Sequence, residues 1–284
     1  MSGGVFTAAC LQLCSDREIE PNIAATRDLA RRARDSGADF ILTPEVTDMI
    51  EPKRELRLAK AKAERNHATL AAARDIARET GAWFLLGSAI VKLSGDERVA
   101  NRSFLIGPDG EIHARYDKIH MFDVDLAGGE SYRESHAYRP GEAAILADLP
   151  WGRLGMTICY DLRFPDLYRA LAHAGASFLS IPSAFTVPTG RAHWHVLMRA
   201  RAIENFCFVF APAQSGDHAE GRKTFGHSLI VAPWGEVLAE AEDGPGFIVA
   251  RIDPAKIAEA RAAVPSLSHD RKFASPSRAP LAAE

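Results

Sequence analysis

Short apolar runs alternate with longer amphipathic stretches along most of the chain. Residues 6–13 are apolar enough for a buried strand. Residues 22–36 then place Ile23, Leu29, Ala30 and Ala33 on one side of a helix that Gly37 stops. Phe40-Ile41-Leu42 is a second strand. Residues 56–80, rich in Ala, Lys, Arg and Glu, predict one long helix closed by Gly81. A third strand covers residues 83–91, Gly95-Asp96 turns it into residues 100–106, and Pro108-Asp109-Gly110 leads on to residues 112–116. Between residues 117 and 140 the periodicity fades, and a loop of that length inside a compact domain is a place to look for function.

The rhythm returns with strands at residues 143–149 and 154–159. Pro165 then suits the first turn of a helix reaching His173 and closed by Gly175. A strand at 178–181, a helix at 191–205 and strands at 206–211, 227–232 and 247–252 complete the pattern. Such alternation predicts a layered α/β domain. The hairpin-like pairs near residues 90 and 112, and the strand-dense last third, suit two facing sheets with helices outside better than one open parallel sheet. No repeat or linker divides residues 1–262. The stretch 263–284, carrying Ser and Pro, is expected to pack on the domain or on a partner subunit.

Composition narrows the function. The 284 residues are 47% hydrophobic, enough for a large core, and 34 basic against 37 acidic residues leave a formal charge of -3. With no single-sign block and no run of 18 apolar residues, neither a nucleic-acid partner nor a membrane span is expected. The first residues, Met1-Ser2-Gly3-Gly4, lack a secretory pattern. Cys10, Cys14, Cys159 and Cys207 form no CxxC pair, so a disulfide scaffold is not expected and a reducing cytoplasm is. His193 and His195 form an HxH without a nearby acidic or cysteine set, so neither a metal nor a cofactor is expected.

Three strand ends carry the candidate chemistry. Cys159 closes the run Leu154-Gly155-Met156-Thr157-Ile158, Glu45 follows Ile41-Leu42-Thr43-Pro44, and Lys118 lies in Tyr116-Asp117-Lys118-Ile119-His120. Strand ends in layered α/β folds gather at one rim. A thiol there serves as nucleophile, a carboxylate moves its proton to a departing amine, and an ammonium stabilises the tetrahedral oxyanion. The backbone N–H of Tyr160, in the turn after the thiol, completes that oxyanion pocket. Taken singly, each residue has a plainer interpretation: Cys159 as an interior cysteine, Glu45 as a turn cap, Lys118 as a solvated loop lysine.

Pro44-Glu45, the stretch Asp117-Lys118-Ile119-His120-Met121-Phe122, and Cys159-Tyr160-Asp161-Leu162-Arg163-Phe164-Pro165 resemble the three motif regions of the nitrilase (carbon–nitrogen hydrolase) superfamily, in the same order. The likeness covers about residues 5–262. It implies an α-β-β-α sandwich, a homodimer or higher homo-oligomer, and an amidase in which Glu45, Lys118 and Cys159 are base, oxyanion donor and nucleophile. It further implies that Glu134 is a second glutamate beside the lysine. Pro182-Ser183-Ala184-Phe185, Ala192-His193-Trp194 and Leu197-Met198-Arg199-Ala200-Arg201 resemble the Nit branch of that superfamily. The implied substrate is a small-molecule amide with a carboxylate beside an α-keto group, opened with release of ammonia. Deaminated glutathione is the first candidate, α-ketoglutaramate the second and an N-carbamoyl amino acid the third. Arg163 is expected to pair with the carboxylate, and Phe185 and Thr189 to line the pocket. A plainer role for Arg163 is an ion pair with Asp161 or Asp166. Arg199, Arg201 and Glu204 suggest an ion network at helical spacing. A non-catalytic α/β scaffold is the alternative from another class.

Overall fold

The computed structural model describes residues 4–126, 129 and 131–276. The first part of the chain forms β1 (Phe6–Gln12), α1 (Ile19–Asp35), β2 (Phe40–Leu42), α2 (Arg54–Lys60), α3 (Ala68–Thr80), β3 (Trp83–Lys92), β4 (Val99–Ile106) and β5 (Ile112–Asp117). A small hairpin follows, β6 (Asp123–Asp125) with β7 (Ser131–Arg133). Next come β8 (Ile145–Leu149), β9 (Gly152–Met156), α4 (Pro165–His173), β10 (Phe178–Ser180), α5 (Val187–Asn205) and β11 (Phe208–Ala211). A second hairpin, β12 (Ser215–Asp217) with β13 (Lys223–Phe225), precedes β14 (Leu229–Val231), β15 (Val237–Glu240), β16 (Gly246–Ile252) and α6 (Ala255–Ala263).

These strands form two six-stranded sheets, ordered β16-β1-β2-β3-β4-β5 and β15-β14-β11-β10-β9-β8. Each has three parallel strands at its centre, β1-β2-β3 and β9-β10-β11. Alternation decides what each strand face buries. In the first sheet Ala8, Cys10, Phe40, Leu42, Leu85 and Leu105 point to the second sheet. Ala9, Leu11, Ile41, Phe84, Leu86 and Phe104 pack against Leu29, Ala33, Leu70 and Ile76 of α1 and α3. Edge-to-face contacts of Phe6 with Phe178 and of Phe40 with Phe210 join the sheets. On the far side Tyr168, Leu171, Trp194 and Met198 bring α4 and α5 onto the second sheet. The result is the four-layer α-β-β-α sandwich. Its last strand, β16, returns to pair with β1 in the first sheet.

The expected helix over 56–80 is two helices. The chain leaves α2 at Ala61, and Lys62 bridges to Val91 while its carbonyl accepts from Lys92 N–H at 3.0 Å. A sheet edge thus overrides helical propensity, and His67 restarts the helix by accepting from Leu70 N–H. Helix α5 starts earlier than expected, since Pro188 fits its first turn. Gly190 stays in it because a Cβ there would lie 2.1 Å from the Phe225 ring. The strand ending at Cys159 stops at Met156 instead, and Cys159 opens a single 3₁₀ turn, Cys159–Arg163. Beyond α6, Asp270 pairs with Arg169 and His173 of α4, which holds that part of the tail on the domain. Residues 277–284 of the expected tail lie outside the described residues.

Candidate active site

Glu45 follows β2 on a segment that crosses β3 at close range. A Cβ on Gly87 would lie 1.8 Å from Thr43 O and 2.5 Å from Pro44 O, so only glycine lets the two backbones pass. Val46, next in sequence, has φ 49° and donates its N–H to Ser88 Oγ at 2.8 Å. Cys159 also has a left-handed backbone, at φ 48°, with its N–H donated to Pro182 O at 3.0 Å. Left-handed non-glycine residues cost about 1–3 kcal/mol and persist where surrounding contacts over-determine them.

Asp161 supplies such contacts. Fully buried, it accepts from Ile158 N–H and Tyr116 Oη–H on one oxygen, at 2.8 and 2.7 Å. The other oxygen takes His120 N–H and lies 2.7 Å from His120 Nδ1. The carboxylate therefore ties the turn holding Cys159 to the segment holding Lys118.

Lys118 Nζ lies 2.8 Å from Glu45 Oε1 and 2.9 and 2.8 Å from the two Glu134 oxygens. Asn101 Nδ2 donates to Glu45 Oε1 at 2.9 Å, Ala184 N–H to Glu45 Oε2 at 2.9 Å, and Phe122 N–H to Glu134 Oε2 at 2.7 Å. The Cys159 thiol sits beside the Glu45 carboxylate and the Ala184 N–H. Glu45, Lys118 and Cys159 are 5, 2 and 8% exposed.

Burial governs all three ionisations, and their charges then correct it. Burial alone would raise Glu45, but the Lys118 charge and hydrogen bond, the Cys159 thiol and the Arg222 charge hold it below the usual carboxylate range. Burial would lower Lys118, and Glu134 and Glu45 instead keep it well above an ordinary lysine. Cys159 is pushed well up by burial and by the Glu45 charge, against the pull of Lys118. The resting set is a carboxylate, an ammonium and a protonated thiol.

The structure brings together Glu45, Lys118, Glu134 and Cys159, and Tyr160, Arg163, Phe185 and Thr189 line the same cleft. Arg163 makes no ion pair with Asp161 or Asp166. It lies 3.3 Å from His193 Nδ1 and 5.8 Å from each of the Tyr160 and Phe185 rings. The Thr189 hydroxyl meets the Thr186 hydroxyl at 2.8 Å. Of the expected ion network only Arg201 with Glu204 forms, while Arg199 donates to Gly235 O. Sequence reasoning missed Asn101, whose signal was a polar side chain on the inward face of an apolar strand. It also missed that His195 meets His227 and Glu240 across the fold, their donor atoms within 4.8 Å of one another.

A carbon-nitrogen hydrolase family model matches residues 7–262. The chain belongs to the carbon-nitrogen hydrolase family. It is 40% identical over 272 residues to the deaminated glutathione amidase of Yersinia enterocolitica, covering 93% of this chain and 92% of that one. The crystal structure of the C. elegans NitFhit protein superposes with a TM-score of 0.90 at 37% identity, over 95% of this chain and 66% of that chain. An amidase from Nesterenkonia sp. AN1, in a mutant whose active-site cysteine has added acrylamide, matches with a TM-score of 0.76 at 26% identity, over 92 and 98% of the two chains. In this carbon-nitrogen hydrolase the buried groups open into a cleft of about 850 Å³, room for a small molecule. Among the described residues no helix is long and apolar enough to cross a membrane.

Proposed function

We propose that this amidase opens its substrate through a thioester on Cys159 and that its preferred substrate is deaminated glutathione. The carrying observation is the ammonium of Lys118 wedged between two carboxylates, which keeps Glu45 ionised next to a protonated thiol. Glu45 takes the thiol proton as sulfur attacks the amide carbon, and the Lys118 ammonium and the Tyr160 N–H receive the oxyanion. Glu45 then protonates the departing nitrogen, the carbon–nitrogen bond breaks, and the acyl group stays on sulfur. Water, deprotonated by Glu45, attacks the thioester, and the returned proton restores the thiol with the acid as product. Glu134 and Asn101 hold Lys118 and Glu45 in register.

The leaving group follows from the substrate. In deaminated glutathione the scissile nitrogen belongs to a cysteinylglycine unit, so that dipeptide departs. The ammonia release expected above accompanies α-ketoglutaramate. The name of the Yersinia relative and the 850 Å³ volume of the cleft support the larger substrate. Rates on both amides and on an N-carbamoyl amino acid, measured side by side, test the choice. The expected kcat/KM for deaminated glutathione exceeds the others by roughly 10-fold or more, about 1.4 kcal/mol of transition-state preference. A higher value for α-ketoglutaramate would favour the ω-amidase alternative, and no turnover of any amide would remove the proposal.

A homodimer belongs to the same proposal. Val196 and Ile203 of α5 are exposed, as are Trp234, Val237 and Leu238 further along the chain, and Trp234 stacks on Phe206 at the end of α5. Light scattering is expected to give twice the 30.9 kDa chain mass; a monomer at micromolar concentration contradicts it.

A further inference from the structure

His195 meets on the folded surface the acidic partner that its sequence neighbourhood lacks. It belongs to α5, His227 lies between β13 and β14, and Glu240 ends β15, the edge strand of the second sheet. Glu240 Oε1 sits 2.9 Å from His195 Nε2 and 2.8 Å from His227 Nδ1. The backbone fixes this meeting. Glu240 pairs in register with Leu229, and Ala241 N–H donates to Ser228 O at 2.9 Å. His227 has a left-handed backbone, φ 56°, and its carbonyl accepts from Trp194 Nε1, next to His195, at 2.8 Å. A non-glycine residue keeps that conformation where its surroundings over-determine it. The Phe225 ring stacks on the His227 ring at 4.5 Å.

Charge is unbalanced here. Asp243 brings a second carboxylate, 3.9 Å from His227 Nε2. Among the described residues neither Glu240 nor Asp243 pairs with a lysine or arginine. Two negative charges thus face only imidazoles, which carry no permanent positive charge. The other close histidine–carboxylate contacts, His67 with Asp48, His120 with Asp161 and His173 with Asp270, have one imidazole each. Here two imidazoles and a carboxylate, from three parts of the fold, present donor atoms within 4.8 Å of one another, the one such group among the described residues.

We propose that His195, His227 and Glu240 bind a divalent transition-metal ion of the zinc class. Imidazole nitrogen and carboxylate oxygen both suit Zn²⁺, which holds them at about 2.0–2.2 Å in a tetrahedron. Donor atoms in such a tetrahedron lie about 3.4 Å apart, so Glu240 Oε1 draws back by about half an ångström on binding and the imidazoles close by at most about 1.4 Å. The side chains have that freedom, since His195, His227 and Glu240 are 40, 30 and 37% exposed. Their exposure leaves the fourth position to water. None of the three lines the catalytic cleft. The ion's role is therefore structural: it clamps the edge strand β15 and the turn before β14 onto α5. This binding is independent of the amide chemistry proposed above.

Calorimetric titration of chelator-treated protein with Zn²⁺ is expected to show one saturable site per chain at micromolar concentration. Affinity should fall more than ~10-fold in His195→Gln and in Glu240→Gln, since losing a ligand costs at least what losing a ligand's outer hydrogen-bond partner does. Cys159→Ala should bind Zn²⁺ as wild type does, because the active-site thiol is not a ligand. With Zn²⁺ at about 100 times its Kd, the melting temperature should rise by about 5 °C in wild type and stay unmoved in Glu240→Gln. Both substituted positions are exposed, so the variants should fold without the ion, which the same melts show. Equal Zn²⁺ affinity in wild type and either variant overturns the site, as does binding that disappears in Cys159→Ala. Absence of saturable binding does so too, and leaves the three side chains as hydrogen-bonded neighbours.

Discussion

Alanine at position 159 is expected to end amide hydrolysis, lowering kcat/KM by ~10⁴-fold or more, the scale on which removal of an acyl-transfer nucleophile acts. The fold should remain, because the substitution removes one sulfur from a wall that Asp161 and Pro182 hold through the backbone. Serine keeps a donor beside Glu45, but a hydroxyl is harder to deprotonate than a thiol, and a carboxylate held below its usual range is a weak base for it. Serine should therefore rank between alanine and wild type, close to alanine. Progress curves at high enzyme concentration measure the residual rate, and mass spectrometry of acid-quenched wild type should find an acyl adduct on Cys159. Retention of even a tenth of the wild-type rate by the alanine variant would make some other group the nucleophile.

Lys118→Met has the second large effect, and it acts on stability as well as rate. The ammonium is buried between two carboxylates, so its removal leaves their negative charge without a counter-ion. Breaking a buried pair from one side costs about 3–5 kcal/mol. Denaturant melts should show a loss of that order together with undetectable turnover. Neutralising the carboxylates as well, in Lys118→Met/Glu45→Gln/Glu134→Gln, should recover most of the stability and none of the activity. A single variant as stable as wild type would mean that the three charges are not coupled in the fold.

The same set defines a pH window. Glu45 lies below the ordinary 4.5, so its contribution to stability is present above that value and lost as pH falls through its own lower one. Lys118 lies above the ordinary 10.5, so its contribution is present below that value and lost as pH rises through its own higher one. Wild-type stability owed to the trio should be flat between the two limits, and in Lys118→Met the acid limit should move upward.

What could be read from the chain was set by how local its cause is. Phe40-Ile41-Leu42 is a strand because both of its faces are buried, and burial on both faces leaves an unbroken apolar run. The break after α2 was invisible because it comes from pairing with β3, distant in sequence. The hairpin of β12 and β13 and the strand β15 are short and partly exposed, so no period marks them. Glu45, Lys118 and Cys159 were legible as polar groups at the ends of apolar runs. Asn101 was not, because its role lies in the carboxylate that stands opposite it. The two histidines of the HxH part company, His193 toward Arg163 and His195 toward Glu240.

Glu45 and Lys118 leave the first sheet and Cys159 leaves the second, while the last strand closes the first sheet beside β1. During synthesis the acid and the amine emerge long before the sulfur, and the strand that seals their sheet emerges almost last. A nascent chain thus has no thiol held beside Glu45 until the second sheet has formed. A chain truncated before β16 is therefore expected to be an inert polypeptide instead of a slow enzyme.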